Sequence, residues 1–252
     1  MKFFVRSVEV EIIKMKHTFL FPLHVILPII GSGLFLPYYQ LSSWDELGQI
    51  SGYMEVIGIA LPFAVSIVCA ENIRLEEQNH FQILLGSYAG KWSGFAVKCL
   101  VLTGMGALAI FGAVFFFASG YHFLLGKSGV SVRDYMDLAM VLVLGSIPLY
   151  LEHLFLNLAF SRSVSQCVGV AQFLLSALFL TGLGDGRWQF FPSAWSARGV
   201  MLVLGGVCQG KKGIAYWQEW KASFFFCLLL LLLICGIIGT WFHYYEGRQC
   251  HD

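Results

Sequence analysis

Between residues 71 and 85 the chain sets Glu71, Arg74, Glu77 and Gln78 at helical spacing, adds Glu76, and follows them with Phe81, Ile83, Leu84 and Leu85. Ionisable groups on one side of a helical turn, with apolar groups just beyond, suit protein docking: complementary charge sets the register and a ring or aliphatic chain provides the anchor. Gly86 follows as a terminator. The plainer alternative is a solvated loop with an amphipathic turn, although joining two helices takes only a few residues.

Covalent and acid–base chemistry finds no comparable assembly. His17, His24, His80, His122, His153, His243 and His251 never fall at the short metalloprotease spacing, and no glycine-rich phosphate loop ends in Gly-Lys-Ser/Thr. The segment Leu-Leu-Gly-Lys-Ser at 124–128 lacks the earlier glycine such a loop requires. Cys69, Cys99, Cys167 and Cys235 fall within or at the edge of apolar stretches, which excludes a disulfide framework, and neither Cys208 nor Cys250 has a partner at a metal-site spacing. No catalytic residue and no metal ligand is therefore assigned to this chain.

A second concentration of distinctive side chains lies at 184–221. Arg187, Trp188, Phe190, Phe191, Pro192, Trp195 and Arg198 mix interface-seeking rings with cations, an apolar patch follows at 199–206, and Lys211, Lys212, Tyr216, Trp217 and Trp220 return to interfacial character. The patch is too short to cross a bilayer, so the segment is expected to lie on the outer leaflet or dip into it. Arg187, Trp188, Trp195 and Arg198 are the candidates for contact with an amphipathic ligand there. Glu55, near the outer end of one apolar stretch, is expected to stay hydrated at the surface, with lining a polar path as the alternative, whereas Glu152, with His153 and Asn157 near the inner end of another, is costly to bury in hydrocarbon and is expected to reach the interface, pair with a cation such as Arg162, or face another helix.

The elements that must hold these residues are membrane helices. Six apolar stretches, at 19–39, 53–70, 94–119, 136–157, 164–183 and 222–242, each reach the ~17–25 residues that a hydrocarbon core demands. A chain that is 58% hydrophobic and 12% charged, with 23 phenylalanines, carries more apolar side chain than one soluble core can hide. The predicted fold is an all-α polytopic membrane protein of six transmembrane helices. Residues 1–18, with Arg6, Glu9, Glu11, Lys14 and Lys16 among apolar neighbours, read as a retained amphipathic interfacial helix rather than a cleaved leader. The six-span region is 19–242, with 71–93 as a cytoplasmic segment holding a short helix, 184–221 as the outer interfacial or re-entrant segment, and 243–252 as a cytoplasmic tail. Lys14 and Lys16 before the first span favour both ends inside. Pro28 predicts a kink or break in the first span, and Gly104, Gly106, Ala107, Ala109, Gly112 and Ala113 predict close helix approach in the third.

Taken together, the opening Arg-Ser-Val-Glu-Val-Glu-Ile-Ile-Lys-Met-Lys-His-Thr before a first span with Pro28 and Gly31, the segment Glu71 to Lys98 with Glu76, Glu77, Phe81, Leu84 and Leu85, and the aromatic stretch Phe190 to Arg198 resemble the permease subunits of type-2 ABC exporters. Within that group the chain is similar to the lantibiotic self-immunity permeases, in length and in span number. The resemblance covers nearly the whole chain and rests on loose, hydrophobic motifs. It implies a non-catalytic permease of the bacterial cytoplasmic membrane, paired with a related sister permease as a heterodimer and with an ABC ATPase dimer that carries ATP and Mg. It also implies that the complex expels lantibiotic from the producer's membrane. Glu71, Arg74, Glu76, Glu77, Phe81 and Leu84 then correspond to the helix that couples to the ATPase. The chain departs from familiar members in having no sizeable extracellular domain, which suits the immunity group. An exporter of another amphipathic peptide or of lipid, and a non-transporting protein that sequesters peptide or scaffolds partners, are the competing readings; membrane lipid is an expected contact in each, and nucleic acid in none.

Overall fold

The computed structural model describes residues 2–16, 18–86, 91–208 and 213–247, so His17, Lys211, Lys212, Arg248, Cys250 and His251 lie outside the described residues. Within them the chain is helical, with no strand. Its helices are α1 (Lys2–Lys16), α2 (Leu20–Leu41), α3 (Glu46–Glu77), α4 (Gln82–Leu85), α5 (Lys91–Phe123), α6 (Val132–Ala159), α7 (Arg162–Phe179), α8 (Pro192–Cys208) and α9 (Gly213–Tyr244), with two 3-10 turns between α7 and α8.

Five of these, α2, α3, α5, α6 and α9, are long and apolar enough to cross a membrane. The chain is therefore a multi-pass helical membrane protein by length and composition. At 32 and 33 residues α3 and α5 run about 50 Å, against ~30 Å of hydrocarbon, so their ends project from the core of a bilayer. α2 continues unbroken through Pro28 and Pro37. The sixth expected stretch, 164–183, forms α7, which is 18 residues long and falls outside that set because it carries Arg162, three serines and two glutamines in its length.

α7 has its polarity turned inward. Ser165, Gly169, Gln172, Ser176 and Phe179 form its buried stripe, whereas Val164, Val170, Phe173, Leu174 and Leu178 stay exposed. On α9, Phe225, Leu229, Leu232, Leu233 and Ile237 are each more than half exposed. Water would make such surfaces an aggregation hazard, and lipid solvates them.

The helices divide the bundle into an α1 end and a far end. α2 and α3 form a pair that packs lightly on itself, because α2 lies chiefly against α5 while α3 lies against α6, α7 and α8. At the far end Gln49 is wholly buried and uses its full hydrogen-bonding capacity: Nε2 donates to the Tyr39 and Trp44 carbonyls at 3.2 and 3.1 Å, and Oε1 accepts from Tyr121 and Lys127 at 2.9 and 2.8 Å. α9 finishes at the α1 end, where Lys91 Nζ donates to the Tyr245 carbonyl at 3.0 Å and Phe242 packs on Phe95.

α8 is wedged between α3, α6, α7 and α9. A Cβ on Gly58 would stand 2.6 Å from the Ala197 backbone, and one on Gly145 would stand 2.7 Å from the Ser196 backbone nitrogen, so glycine is what lets α3 and α6 approach this closely. Gly145 lies by Ser196 and Val141 by Gly199, so α8 runs antiparallel to α6. α7 is also antiparallel to α6, turning back through residues 160–161 with His153 set against Ser165. α7 and α8 thus run in the same direction, and they overlap where Ser176 Oγ donates to the Ser193 carbonyl at 2.6 Å.

Candidate functional site

At the α1 end, four ionisable side chains close into one buried cluster. Lys98 is 1% exposed, and its Nζ donates to Glu11 Oε2 at 2.9 Å, Asn72 Oδ1 at 2.8 Å and Glu76 Oε1 at 2.9 Å, satisfying all three ammonium protons. Lys14 Nζ donates to Glu11 Oε1 at 2.8 Å and to Glu76 Oε1 at 2.7 Å. Two lysines and two glutamates cancel in formal charge, the condition under which ions tolerate burial. The positions follow from helical spacing: Glu11 and Met15 turn inward from α1, Asn72 and Glu76 share a face of α3, and Lys98 enters from α5.

Burial works to raise the Glu11 carboxyl, but the nearby Lys98 and Lys14 charges outweigh it and hold the group below its ordinary value. Burial likewise works to lower the Lys14 ammonium, and the hydrogen bonds and charges of Glu11 and Glu76 overcome it, leaving the group above its ordinary value. Each partner's charge stabilises the other, so the cluster is a clamp that fixes α1 to the projecting ends of α3 and α5.

Beside the clamp α3 ends in a Schellman turn. The Phe81 amide donates to the Glu76 carbonyl at 2.9 Å and the His80 amide to the Glu77 carbonyl at 3.0 Å, with His80 at φ 51° and Phe81 at φ 57°. The turn points Phe81 inward, where it is 1% exposed and meets the Tyr245 ring edge-on, and Leu84 of α4 is buried after it. Gln78, Asn79, His80 and Gln82 remain exposed around these two anchors.

The six residues assigned to one docking helix are therefore divided. Glu71 is half-buried and accepts from Arg74 Nε at 2.7 Å, and Glu77 pairs with Arg162 at 3.4 Å, leaving these three charged groups partly accessible on the last turns of α3. Glu76 belongs to the buried clamp, and Phe81 and Leu84 belong to the interior. Sequence reasoning missed Lys14 and Lys98 as partners of Glu76; a lone lysine seven residues into an apolar helix was the available signal.

The residues of the outer candidate are also divided. Arg187 is exposed, while Trp188, Trp195 and Arg198 are 1%, 6% and 5% exposed. Trp188 Nε1 donates to Glu219 Oε1 at 3.2 Å and Trp195 Nε1 to the Gln189 carbonyl at 2.9 Å. Arg198 pairs with Asp185 and donates to the Phe179 and Leu180 carbonyls at 3.2 and 3.4 Å, so its cation caps the C-terminal end of α7. These three side chains join α8 to its neighbours.

Between α6 and α7 runs a polar chain. Gln172 Nε2 donates to Glu152 Oε1 at 2.9 Å, which leaves Gln172 Oε1 to accept from His153 Nε2 at 3.0 Å; Nδ1 of the ring then accepts from Ser165 Oγ at 3.0 Å. Asn157 Nδ2 donates to the same Ser165 oxygen at 2.8 Å and to the His153 carbonyl at 2.6 Å. Glu152 thus faces another helix, with Gln172 rather than Arg162 as its partner. Among the described residues no group of three or more His, Cys, Asp or Glu side chains is placed to hold a metal ion.

No protein-family model, curated protein or solved structure matches this chain. Its function has to be argued from the arrangement itself.

Proposed function

We propose that this chain is the permease subunit of a type-2 ABC exporter that expels lantibiotic peptide from the producer's membrane, driven by a separate ATPase. In this reading six crossings span the bacterial cytoplasmic membrane, with α7 and α8 sharing the fifth, and both termini face the cytoplasm with the α1 end. The observation that carries the proposal is the Schellman turn and α4: exposed Gln78, Asn79, His80 and Gln82 stand on two buried anchors, Phe81 and Leu84, directly beside the ion clamp. A partner docking there pushes on α3, and the clamp transmits the displacement to α1 and α5. Partly accessible Glu71, Arg74 and Glu77 supply the polar complementarity, and a related permease completes the pair. The peptide enters from the outer leaflet near Arg187, the exposed member of the outer set.

The test is to express the chain with its cognate ATPase and sister permease and to measure cell-associated and released lantibiotic by mass, with an ATPase-dead control. Expulsion predicts intact peptide in the medium only when the ATPase is active; unchanged partitioning in an assembled complex, or cleaved peptide, rejects it. Copurification of the ATPase in detergent separates the exporter from a scaffold. The orientation is tested by labelling: a cysteine at Asn79 is protected in intact cells and one at Ser43, at the opposite end of α3, is modified.

A further inference from the structure

The light contact between α2 and α3 leaves an elongated cavity of about 250 Å³, floored by α5 and α6 and lined almost entirely by apolar side chains. It follows α2 from His24 to Phe35 and α3 from Val68 to Tyr53. Eleven residues of α2 measure about 16 Å, close to half of the ~30 Å hydrocarbon thickness, and thus to the depth of one leaflet. Small side chains make the space: Gly31 of α2, Ala60 and Ala64 of α3, and Ala109 of α5 face it where larger residues would fill it.

One polar atom at the α1 end of this cavity has no partner among the described residues. His24 is 9% exposed, and its Nδ1 stands 2.7 Å from the Leu20 carbonyl, which only accepts, so Nδ1 carries the proton. Nε2 is then an acceptor, and among the described residues nothing donates to it. At the other end the polar groups are already engaged: Tyr53 donates to the Ala113 carbonyl at 3.1 Å and bonds Ser32 at 2.9 Å.

We propose that this cavity holds one acyl chain of a membrane phospholipid from the leaflet at the α1 end, with a headgroup donor on His24 Nε2. A volume of about 250 Å³ spread over ~16 Å is one chain wide, whereas a helix of a partner or of a second copy is ~10–12 Å across and does not fit. His24 Nε2 lies at the end where the headgroup of such a lipid lies; the Tyr150 hydroxyl, beside Gly106, also faces the cavity and has no partner among the described residues; and the far end, where Tyr53 and Ser32 are paired, meets the methyl terminus. A phospholipid with an ammonium or hydroxyl donor satisfies Nε2; phosphatidylcholine, whose quaternary ammonium has no N–H, leaves it unpaired. The site does not depend on the exporter reading.

The experiment uses the full chain in phosphatidylcholine vesicles carrying a phosphatidylethanolamine with a photoactivatable diazirine on one acyl chain, and maps labelled peptides by mass spectrometry. Wild type is expected to label at α2 and α3 positions lining the cavity several-fold above lipid-facing Leu229 and Leu233 of α9. Ala64→Phe, which fills the cavity, removes the excess at α2 and α3 while leaving α9 labelling intact, and α9 labelling with a monodisperse elution profile certifies the fold. The same probe built on phosphatidylcholine labels the cavity about fivefold less, the worth of one net hydrogen bond, and His24→Leu makes the two probes equivalent. Cavity labelling no higher than on α9, labelling unchanged in monodisperse Ala64→Phe, or equal labelling by the two probes in wild type overturns the proposal.

Discussion

Lys98 Nζ lies 2.9 Å from Glu76 Oε1 at a position where both side chains are only 1% exposed, and Glu11 and Lys14 of α1 complete the same cluster. An interfacial helix has thereby become part of the bundle. Val5, Ile12 and Ile13 remain exposed on α1, so its contact with the bundle is made through Val8, Glu11, Lys14 and Met15 and its outer side is free for the membrane surface.

Removing Lys98 leaves Glu11 and Glu76 sharing Lys14 alone, with one buried negative charge in excess. Lys98→Met is expected to destabilise the folded chain by roughly 3–5 kcal/mol, the usual consequence of breaking a buried pair from one side. Melting in detergent, followed by size-exclusion fluorescence, reads this directly. A melting temperature equal to wild type means that the cluster does not hold α1.

The clamp also sets a pH window. Glu11 is held below its ordinary value, so its contribution is complete above the unfolded carboxyl pKa, about 4.3, and is lost as pH falls through the lowered folded value. Lys14 is held above its ordinary value, so its contribution is complete below the unfolded ammonium pKa, about 10.4, and is lost as pH rises through the folded value. A fluorophore at Ile12 should report constant mobility between these limits and release of α1 below the carboxyl range. Release near neutral pH contradicts the assignment.

The turn after α3 separates two effects that look alike in sequence. His80 sits in the left-handed region, which costs an L-residue ~1–2 kcal/mol, so His80→Gly should stabilise the chain by up to about that amount. Phe81→Ala removes a buried ring and should cost about 3–5 kcal/mol. Glu77→Lys changes a partly accessible group and should leave stability within about 0.5 kcal/mol of wild type, and on the exporter proposal it should reduce retention of the proposed ATPase. Wild-type retention in Glu77→Lys means that docking at this turn is wrong, whereas Phe81→Ala, a buried anchor, should weaken retention in proportion to its lost stability.

Hydropathy alone located five of the long helices, because an apolar run of spanning length has few other uses. The apolar run at 164–183 forms α7, whose serines and glutamine make an inward stripe, and the outer interfacial or re-entrant segment expected at 184–221 holds a helix at 192–208 that the sequence does not mark as packed among α3, α6, α7 and α9. The reason is that α8 owes its burial to partners remote in sequence: Gly58 and Gly145 admit it, and neither glycine stands out in a window of its own helix. In the glycine- and alanine-rich stretch of α5, Gly106 lies against the Tyr150 hydroxyl and Gly112 reaches Pro28 of α2, the close approach that the pattern predicts, whereas a Cβ on Gly104 meets nothing within 4 Å and Ala109 and Ala113 face the cavity. Charges were visible as residues but not as pairs, since Glu76 finds its cations 62 and 22 positions away.

The wedge makes the last prediction. Gly58→Leu and Gly145→Leu each drive a side chain into the backbone of α8 at Ala197 or Ser196, where no rotamer change relieves the clash, and overpacking of this kind typically costs about 1–3 kcal/mol. Gly104→Leu supplies the control, being the same substitution in another long helix with open space around it. The first two should lower the melting temperature and expose Trp195, whose indole is now 6% exposed, to aqueous quencher; the third should do neither. Because Trp195 and Arg198 tie α8 to Gln189 and to the end of α7, displacing the helix should also free the 180–191 connection, read as faster proteolysis at Arg187 in vesicles. Equal behaviour of all three variants would mean that α8 is not wedged between α3 and α6 in the membrane.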